Sequence, residues 1–150
     1  MKDPEFLKLD NQLCFTIYAC SREIGRIYRP LLDELGITYP QYLTLLVLWE
    51  HREMTVKELG ERLYLDSGTL TPMLKRMEAA GLIRRQRSAD DERKVIVRLT
   101  ERGDALKKRA YCIPKTLLEK SGISEEEFRE LLSRFKSLLQ RVHQQNRLNE

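Results

Sequence analysis

"TVKELGERLYLDSGTLTPMLKRMEAAGLIRRQRSADDERKVIVRLT", residues 55 to 100, changes its hydrophobic period once, and that change decides the fold. Up to Ala80 the apolar residues recur at helical spacing: Val56, Leu59 and Leu63, then Leu70, Met73, Leu74 and Met77. Thr55 and Glu58 form a capping box at the head of the first of these helices. Asp66, Ser67 and Thr69 are candidate caps for the second, and Gly81 ends it. Pro72 predicts that its regular turns start late, because the ring disrupts a helix interior. From Leu82 the spacing shortens: "LIRRQRS", the polar turn "ADDER" and "KVIVRLT" read as a β-hairpin. Two helices joined by a turn and followed by a hairpin are the plan of a winged helix-turn-helix.

The flanks extend that plan. Tyr39-Pro40 opens a helix through "QYLTLLVLWEH", with proline in the first turn, where a missing N–H is harmless. Residues 9 to 29 read as another helix, capped by Asp10 or Asn11. Leu13, Cys14, Ile17, Tyr18, Ala19 and Cys20 leave its middle almost no polar face, so it needs cover on more than one side, and a partner subunit would provide it. After Thr100 the chain returns to helix, with Pro114 as a kink or break. Ser124 and Glu127 then cap a last helix whose stripe is Phe128, Leu131, Leu132, Phe135, Leu138, Leu139 and Val142. The expected architecture is mainly α with a small β-hairpin wing (α+β). It is a single domain over residues 1–150, with a winged helix-turn-helix lobe at about 40–100 between dimerisation helices at about 9–35 and 101–146.

Composition narrows the function. Hydrophobic residues make up 41% and charged residues 33%, a balance that suits a folded, mostly helical chain rather than a disordered one. Asp3, Glu5 and Asp10 interrupt the start, which is not a signal peptide, and no apolar run approaches the ~20 residues of a membrane span. A cytosolic location with reduced thiols is expected. There is no P-loop, dinucleotide fingerprint or metal-ligand spacing, so no cofactor or metal is expected. The net charge of +4 says little alone, but Arg84, Arg85, Arg87, Arg93, Lys94 and Arg98 crowd the hairpin against Asp90, Asp91 and Glu92.

These features point to double-stranded DNA. The second helix of such a module enters the major groove by its N-terminal end, here "DSGTLTP". Ser67, Thr69 and Thr71 are donors for phosphates and base edges, and Lys75 and Arg76 follow one turn later. Arg85, Arg87, Arg93 and Lys94 surround a hairpin whose tip reaches a minor groove, with Asp91 placed to orient Arg93 by a charge-assisted bond. The competing readings are a helix cap for the hydroxyls and a solvated turn for the charges.

The stretch from Met54 to Gly103 resembles the winged-helix core of the MarR family of dimeric repressors, whose wing carries the D-x-R that Asp91 and Arg93 supply. More narrowly, "LDNQLCFTIYACSREI", "LGITYPQYL" and "LYLDSGTLTPMLKRME" resemble its organic-hydroperoxide-sensing, OhrR-type branch. That resemblance implies a homodimer on a pseudo-palindromic operator, with recognition helices ~34 Å apart. It also implies that Tyr28 and Tyr39 hydrogen-bond the reactive sulfur.

The sulfur is that of Cys14. It lies about one turn inside the expected first helix, where the dipole favours an anion, and Phe15, Ile17 and Tyr18 supply apolar walls suited to lipophilic peroxides. Oxidation gives a sulfenic acid that a second thiol caps reversibly. Cys20 is ~9 Å along the same helix and ~240° around it, out of disulfide reach, and reads as a small core residue. Tyr28 lies ~21 Å up the helix, so the tyrosine contact must come from the partner subunit. In two-cysteine relatives the resolving cysteine follows the "IP" that Cys112 precedes. This departure favours the one-cysteine class, in which low-molecular-weight thiols cap Cys14.

The expected function is therefore a redox-sensing repressor of organic hydroperoxide resistance, whose reduced dimer binds the operator and whose oxidation at Cys14 releases it. Three rivals stand beside it: a MarR-type repressor answering a phenolic or other small ligand, a global oxidative-stress regulator, and a thiol peroxidase. No His or Arg is near Cys14 in sequence to serve the last, since His51 and His143 are remote.

Overall fold

The computed structural model describes residues 4–150. The chain divides into two units, one ending at Cys112 and the other Ile113–Glu150. In the first, short 3-10 turns at Pro4–Leu7 and Leu9–Asn11 precede helices α1 (Leu13–Asp33) and α2 (Tyr39–His51). Strand β1 (Glu53–Thr55), helices α3 (Val56–Leu63) and α4 (Ser67–Ala79), strands β2 (Ile83–Arg87) and β3 (Val95–Leu99) and helix α5 (Glu101–Ala110) complete it.

Helix α1 starts four residues later than periodicity suggested, because Leu9–Asn11 is a 3-10 turn and Gln12 is the N-cap. Side-chain bonds hold this turn: Asn11 Nδ2 donates to the Glu5 carbonyl at 2.8 Å and Gln12 Nε2 to that of Lys8 at 3.0 Å. Cys14 is consequently the second residue of α1, nearer the unsatisfied N–H groups of the helix start than expected. Helix α2 opens with a complete capping box between Thr38 and Gln41, with Pro40 in its first turn.

The helix-turn-helix is built on a tight approach. A Cβ on Gly60 would stand 2.6 Å from the Leu65 carbonyl oxygen, so only glycine lets α3 run against the turn. Tyr64 carries that turn in the left-handed region at φ 56°. Of the three candidate caps, Asp66 is the one used, accepting from Thr69 N at 2.7 Å, and α4 then runs unbroken from Ser67 through Pro72. The expected late start is thus corrected. Pro72 sits in the second turn, where its missing N–H removes only the bond that the Gly68 carbonyl would have accepted.

The expected wing hairpin forms, pairing Ile83–Arg87 against Val95–Leu99, but the sheet has three antiparallel strands, ordered β1-β3-β2. Strand β1 is three residues long, too short to show alternation in the sequence; it closes the free edge of β3 by setting buried Met54 opposite buried Val97. Under the sheet lies the core: Leu45, Leu48, Leu59, Leu70, Leu74, Met77, Ile83 and Val97, none more than 1% exposed. Each contributes about 1.5–3 kcal/mol by leaving water. Thr44, the buried polar residue among them, donates its hydroxyl to the Pro40 carbonyl at 2.9 Å.

Helix α5 is docked to the base of the wing with almost no clearance. A Cβ on Gly103 would lie 2.1 Å from the Leu82 carbonyl oxygen and 3.1 Å from Leu99 Cδ2. Thr100 fixes the same corner: its hydroxyl donates to the Gly81 carbonyl at 2.6 Å and accepts from Gly103 N at 3.1 Å.

The second unit holds α6 (Ile113–Ser121) and α7 (Glu125–Leu148), the former beginning with Pro114 in its first turn after a break at Tyr111–Cys112. Ser124 caps α7, accepting from Glu127 N at 3.1 Å. No residue of α7 is buried: Phe128, Leu131, Leu132, Phe135, Leu139 and Val142 line one face, each 39–48% exposed. Helix α1 is similar, with Leu13, Phe15, Tyr18 and Ile24 exposed and only Leu32 buried. Cys20, expected in the core, is exposed in the subunit. No helix among the described residues is long and apolar enough to cross a membrane.

Replacing Gly103 by Ala is expected to destabilise the chain by on the order of 3 kcal/mol, because backbone rather than a flexible side chain stands in the way. Urea unfolding measures it, and a loss below about 0.5 kcal/mol would contradict the close approach.

Candidate functional site

Two groups of predicted residues are brought together, one on the helix-turn-helix and wing, the other at the α1–α2 corner. On α4, Ser67 and Thr69 are exposed at the first turn, Thr71 is half-buried, and Lys75 and Arg76 are exposed one turn on. The cap is not the work of these hydroxyls. Asp66 does it, and bonds from the Thr69 backbone hold its carboxyl below the usual carboxylate range.

At the wing tip the Asp91–Arg93 pair has the geometry that orients a guanidinium. Arg93 Nε donates to Asp91 Oδ1 at 3.1 Å and its terminal nitrogen to Oδ2 at 3.4 Å, while the Arg93 backbone N–H also donates to Oδ1 at 3.0 Å. The Arg93 side chain is nonetheless 91% exposed, so it is held in direction and open to a ligand. These bonds, the side-chain one first, hold the Asp91 carboxyl below its ordinary range. Arg87 donates to the Glu92 carbonyl at 2.8 Å and steadies the hairpin, and Lys94 is exposed beside it.

Arg85 is different from the rest of the predicted DNA-contact set. Its backbone N–H donates to Glu78 at 2.9 Å, and its guanidinium gives Glu78 two more bonds at 3.1 and 3.4 Å. With only 22% of its side chain exposed, its charge is engaged inside the lobe, tying β2 to α4. Glu78 stands on a different element seven residues earlier, so only the fold reveals the pairing.

The second group lies around Tyr28, near the end of α1, and Tyr39, at the start of α2. Their rings are 4.7 Å apart, tilted by 45°, and their phenols influence each other's ionisation. Burial, reinforced by the neighbouring phenols, pushes Tyr28 well above its ordinary range, and burial also raises Tyr39 against the opposing effect of the Tyr28 hydroxyl. Both are therefore neutral hydroxyl donors throughout the physiological range. Sequence reading missed the third member, Tyr42, which is 3% exposed and packs 6.0 Å from Tyr28 and 6.3 Å from Tyr39. Its signal was available: it follows Tyr39 by three residues on one helix face. Cys112, in the break after α5, also pushes the Tyr42 phenol up, after burial and Tyr39.

Cys14 is exposed on the first turn of α1, flanked by Phe15 and Tyr18, which are 43% and 61% exposed; Arg22 lies 5.5 Å over the Tyr18 ring. Fourteen residues of helix, ~21 Å, separate Cys14 from Tyr28 of the same chain, so one subunit carries the sulfur and the tyrosine pair at opposite ends of α1. No group of three or more His, Cys, Asp or Glu side chains fit for a metal occurs among the described residues.

A capped recognition helix against a three-stranded wing defines a winged-helix regulator. Residues 26–110 match the family described as transcriptional regulator SarA/Rot. The chain is 58% identical over 142 residues to the organic hydroperoxide resistance transcriptional regulator of Bacillus subtilis, covering 95% of this chain and 97% of that one. Among solved structures, it superposes on reduced AbfR bound to DNA with a TM-score of 0.79 at 38% identity, covering 96% of this chain and 98% of the other. A mutant MarR from E. coli complexed with operator DNA gives a TM-score of 0.79 at 26% identity, covering 92% and 99%. The chain belongs to the MarR/SarA family of winged-helix transcriptional regulators, on the branch of the organic hydroperoxide resistance regulators. It is a regulator, and the thiol-peroxidase alternative falls with that assignment.

Replacing Asp91 by Asn frees Arg93 without removing it, and operator affinity is expected to drop on the order of tenfold in a binding titration at fixed salt. Because the folded-state pKa of Asp91 is depressed, its contribution is present above the ordinary carboxylate value of ~3.9 and is lost only as pH falls through the lower folded value. The affinity difference between the unmodified chain and Asp91→Asn should thus be flat from about pH 8 to 5.

Proposed function

We propose that the chain is a redox-sensing repressor of organic hydroperoxide resistance that acts as a homodimer on double-stranded DNA. The observation that carries the reading is the separation of the sensor parts: Cys14 and the Tyr28–Tyr39 pair occupy opposite ends of α1 in one subunit. An antiparallel pairing of first helices brings Cys14 of one subunit to the tyrosines of the other. It also covers the apolar residues that α1 exposes, and a second copy covers the stripe of α7. Both phenols stay neutral, so each keeps an O–H that can donate to the sulfur of the partner.

In the reduced dimer the two α4 helices enter successive major grooves, ~34 Å apart, and the two wings reach the flanking minor grooves. Ser67, Thr69, Thr71, Lys75 and Arg76 read or pin the major-groove side, and Arg87, Arg93 and Lys94 act at the wing, with Asp91 orienting Arg93. Arg85 holds the wing to α4. A lipophilic hydroperoxide, entering between Phe15 and Tyr18, transfers one oxygen to Cys14. The sulfur becomes a sulfenic acid and the peroxide leaves as its alcohol. A low-molecular-weight thiol then condenses with the sulfenic acid, forming a mixed disulfide and releasing water. The added bulk and the lost tyrosine bonds separate the lobes from their DNA-bound spacing. A coupling of ~3 kcal/mol lowers affinity more than 100-fold.

A second reading of the capping step has its own support. Cys112 adds, after burial and Tyr39, to the upward push on the Tyr42 phenol, and Tyr42 packs against the tyrosine pair, so Cys112 of one subunit is a candidate resolving thiol for Cys14 of the other.

Operator binding before and after a lipophilic hydroperoxide, with intact mass measured on the same sample, tests both steps. Cys14→Ser is expected to bind operator as the unmodified chain does and to stay bound after peroxide. Release by Cys14→Ser would refute the sensor. An adduct of one small thiol per chain supports capping by a small thiol, and a covalent dimer lost in Cys112→Ser supports the resolving cysteine.

A further inference from the structure

A continuous run of buried side chains joins the tyrosine pair to the base of the wing. Tyr42 and Trp49 are seven residues apart on α2, two turns and therefore the same face, ~10 Å along the axis. Tyr42 meets Tyr28 and Tyr39 on one side and Trp49 on the other, ring centroids 6.3 Å apart in an edge-to-face arrangement. Trp49 is 6% exposed, and its indole N–H donates to the Gly103 carbonyl at 2.9 Å. Gly103 is the residue with no clearance against Leu82 and Leu99, where β2 begins and β3 ends. Thr100, bonded to Gly81 and to Gly103 N, closes the corner. Each step is a directional contact in a packed interior, which shifts between discrete arrangements instead of deforming smoothly.

We propose that Trp49 is a positioning residue that passes a displacement of the Tyr28–Tyr39 pair, through Tyr42, to Gly103 and so to the wing. The inference rests on the reading in which those tyrosines hold Cys14 of the partner subunit. When oxidation withdraws the sulfur from the tyrosine hydroxyls, the Tyr42 ring follows, the indole tips, and its bond to Gly103 no longer fixes the angle between α5 and the wing.

The chain contains one tryptophan, so Trp49 fluorescence reports this step without any substitution. Added hydroperoxide should change the emission of the unmodified dimer in step with operator release, and leave that of Cys14→Ser unchanged. Trp49→Phe keeps an aromatic ring and removes the indole donor. Lacking the bond that oxidation is proposed to break, it should bind operator at least about tenfold more weakly than the unmodified chain even when reduced, so that the affinity ratio of reduced to oxidised protein falls from about 100-fold to below about tenfold. Release that accompanies an unchanged Trp49 emission, or a full affinity ratio in Trp49→Phe, would overturn the proposal. Where Trp49→Phe fails to fold, the emission of the unmodified dimer decides. Release that persists in Cys14→Ser instead refutes the underlying sensor reading, so the two failures are told apart.

Discussion

A methyl group does not fit between the first turn of α5 and the first residues of the wing. The 2.1 Å that a Gly103 Cβ would leave to the Leu82 carbonyl is the tightest such approach at any glycine of the described chain, and it fixes how the long α5 segment leaves the DNA-reading lobe. Trp49 and Thr100 bond to the same few atoms, and Arg52 Nη1 adds an ion pair to Asp104 at 2.8 Å one residue on. Arg52 itself sits at φ 69°, a backbone state unfavourable for a long side chain, which persists because its neighbours over-determine it. The result is a junction at which α2, the wing and α5 share one rigid corner. Whatever moves α2 relative to that corner moves the wing.

Much of the lobe was legible in the sequence because its signals are local. The caps at Thr55 and Ser124, the stripe of α3 and α4, and the alternation of the hairpin each lie within one element, where period and neighbouring residues agree. What was not legible depends on contacts between elements. Strand β1 is defined by its partner Val97, not by its own three residues. The first helix began late because bonds back to Glu5 and Lys8 hold the preceding turn, and Pro72 was absorbed because it costs one bond on the exposed side of a helix that buries Leu70, Met73, Leu74 and Met77.

The site divides in the same way. Asp91 and Arg93 are two residues apart, so their pairing could be inferred from spacing alone. Arg85 has the same charge and neighbourhood, yet its carboxylate partner comes from α4, and only the fold converts it from a free cation into a tie between recognition helix and wing. Tyr28 and Tyr39 were reached through resemblance to a family, whereas Tyr42 was recognised from the packing, because its three-residue spacing from Tyr39 marks a shared helix face and not the ring contact itself.

That tie has a consequence for how the regulator lets go of its operator. Since Glu78 clamps Arg85 by three bonds, β2 and α4 move together, and in the proposed complex the helix and wing contacts are surrendered together. A half-engaged complex, with wing lifted and helix still seated, is mechanically unavailable within a lobe. Each half-site is then either held by helix and wing at once or empty, with no partly gripped state between.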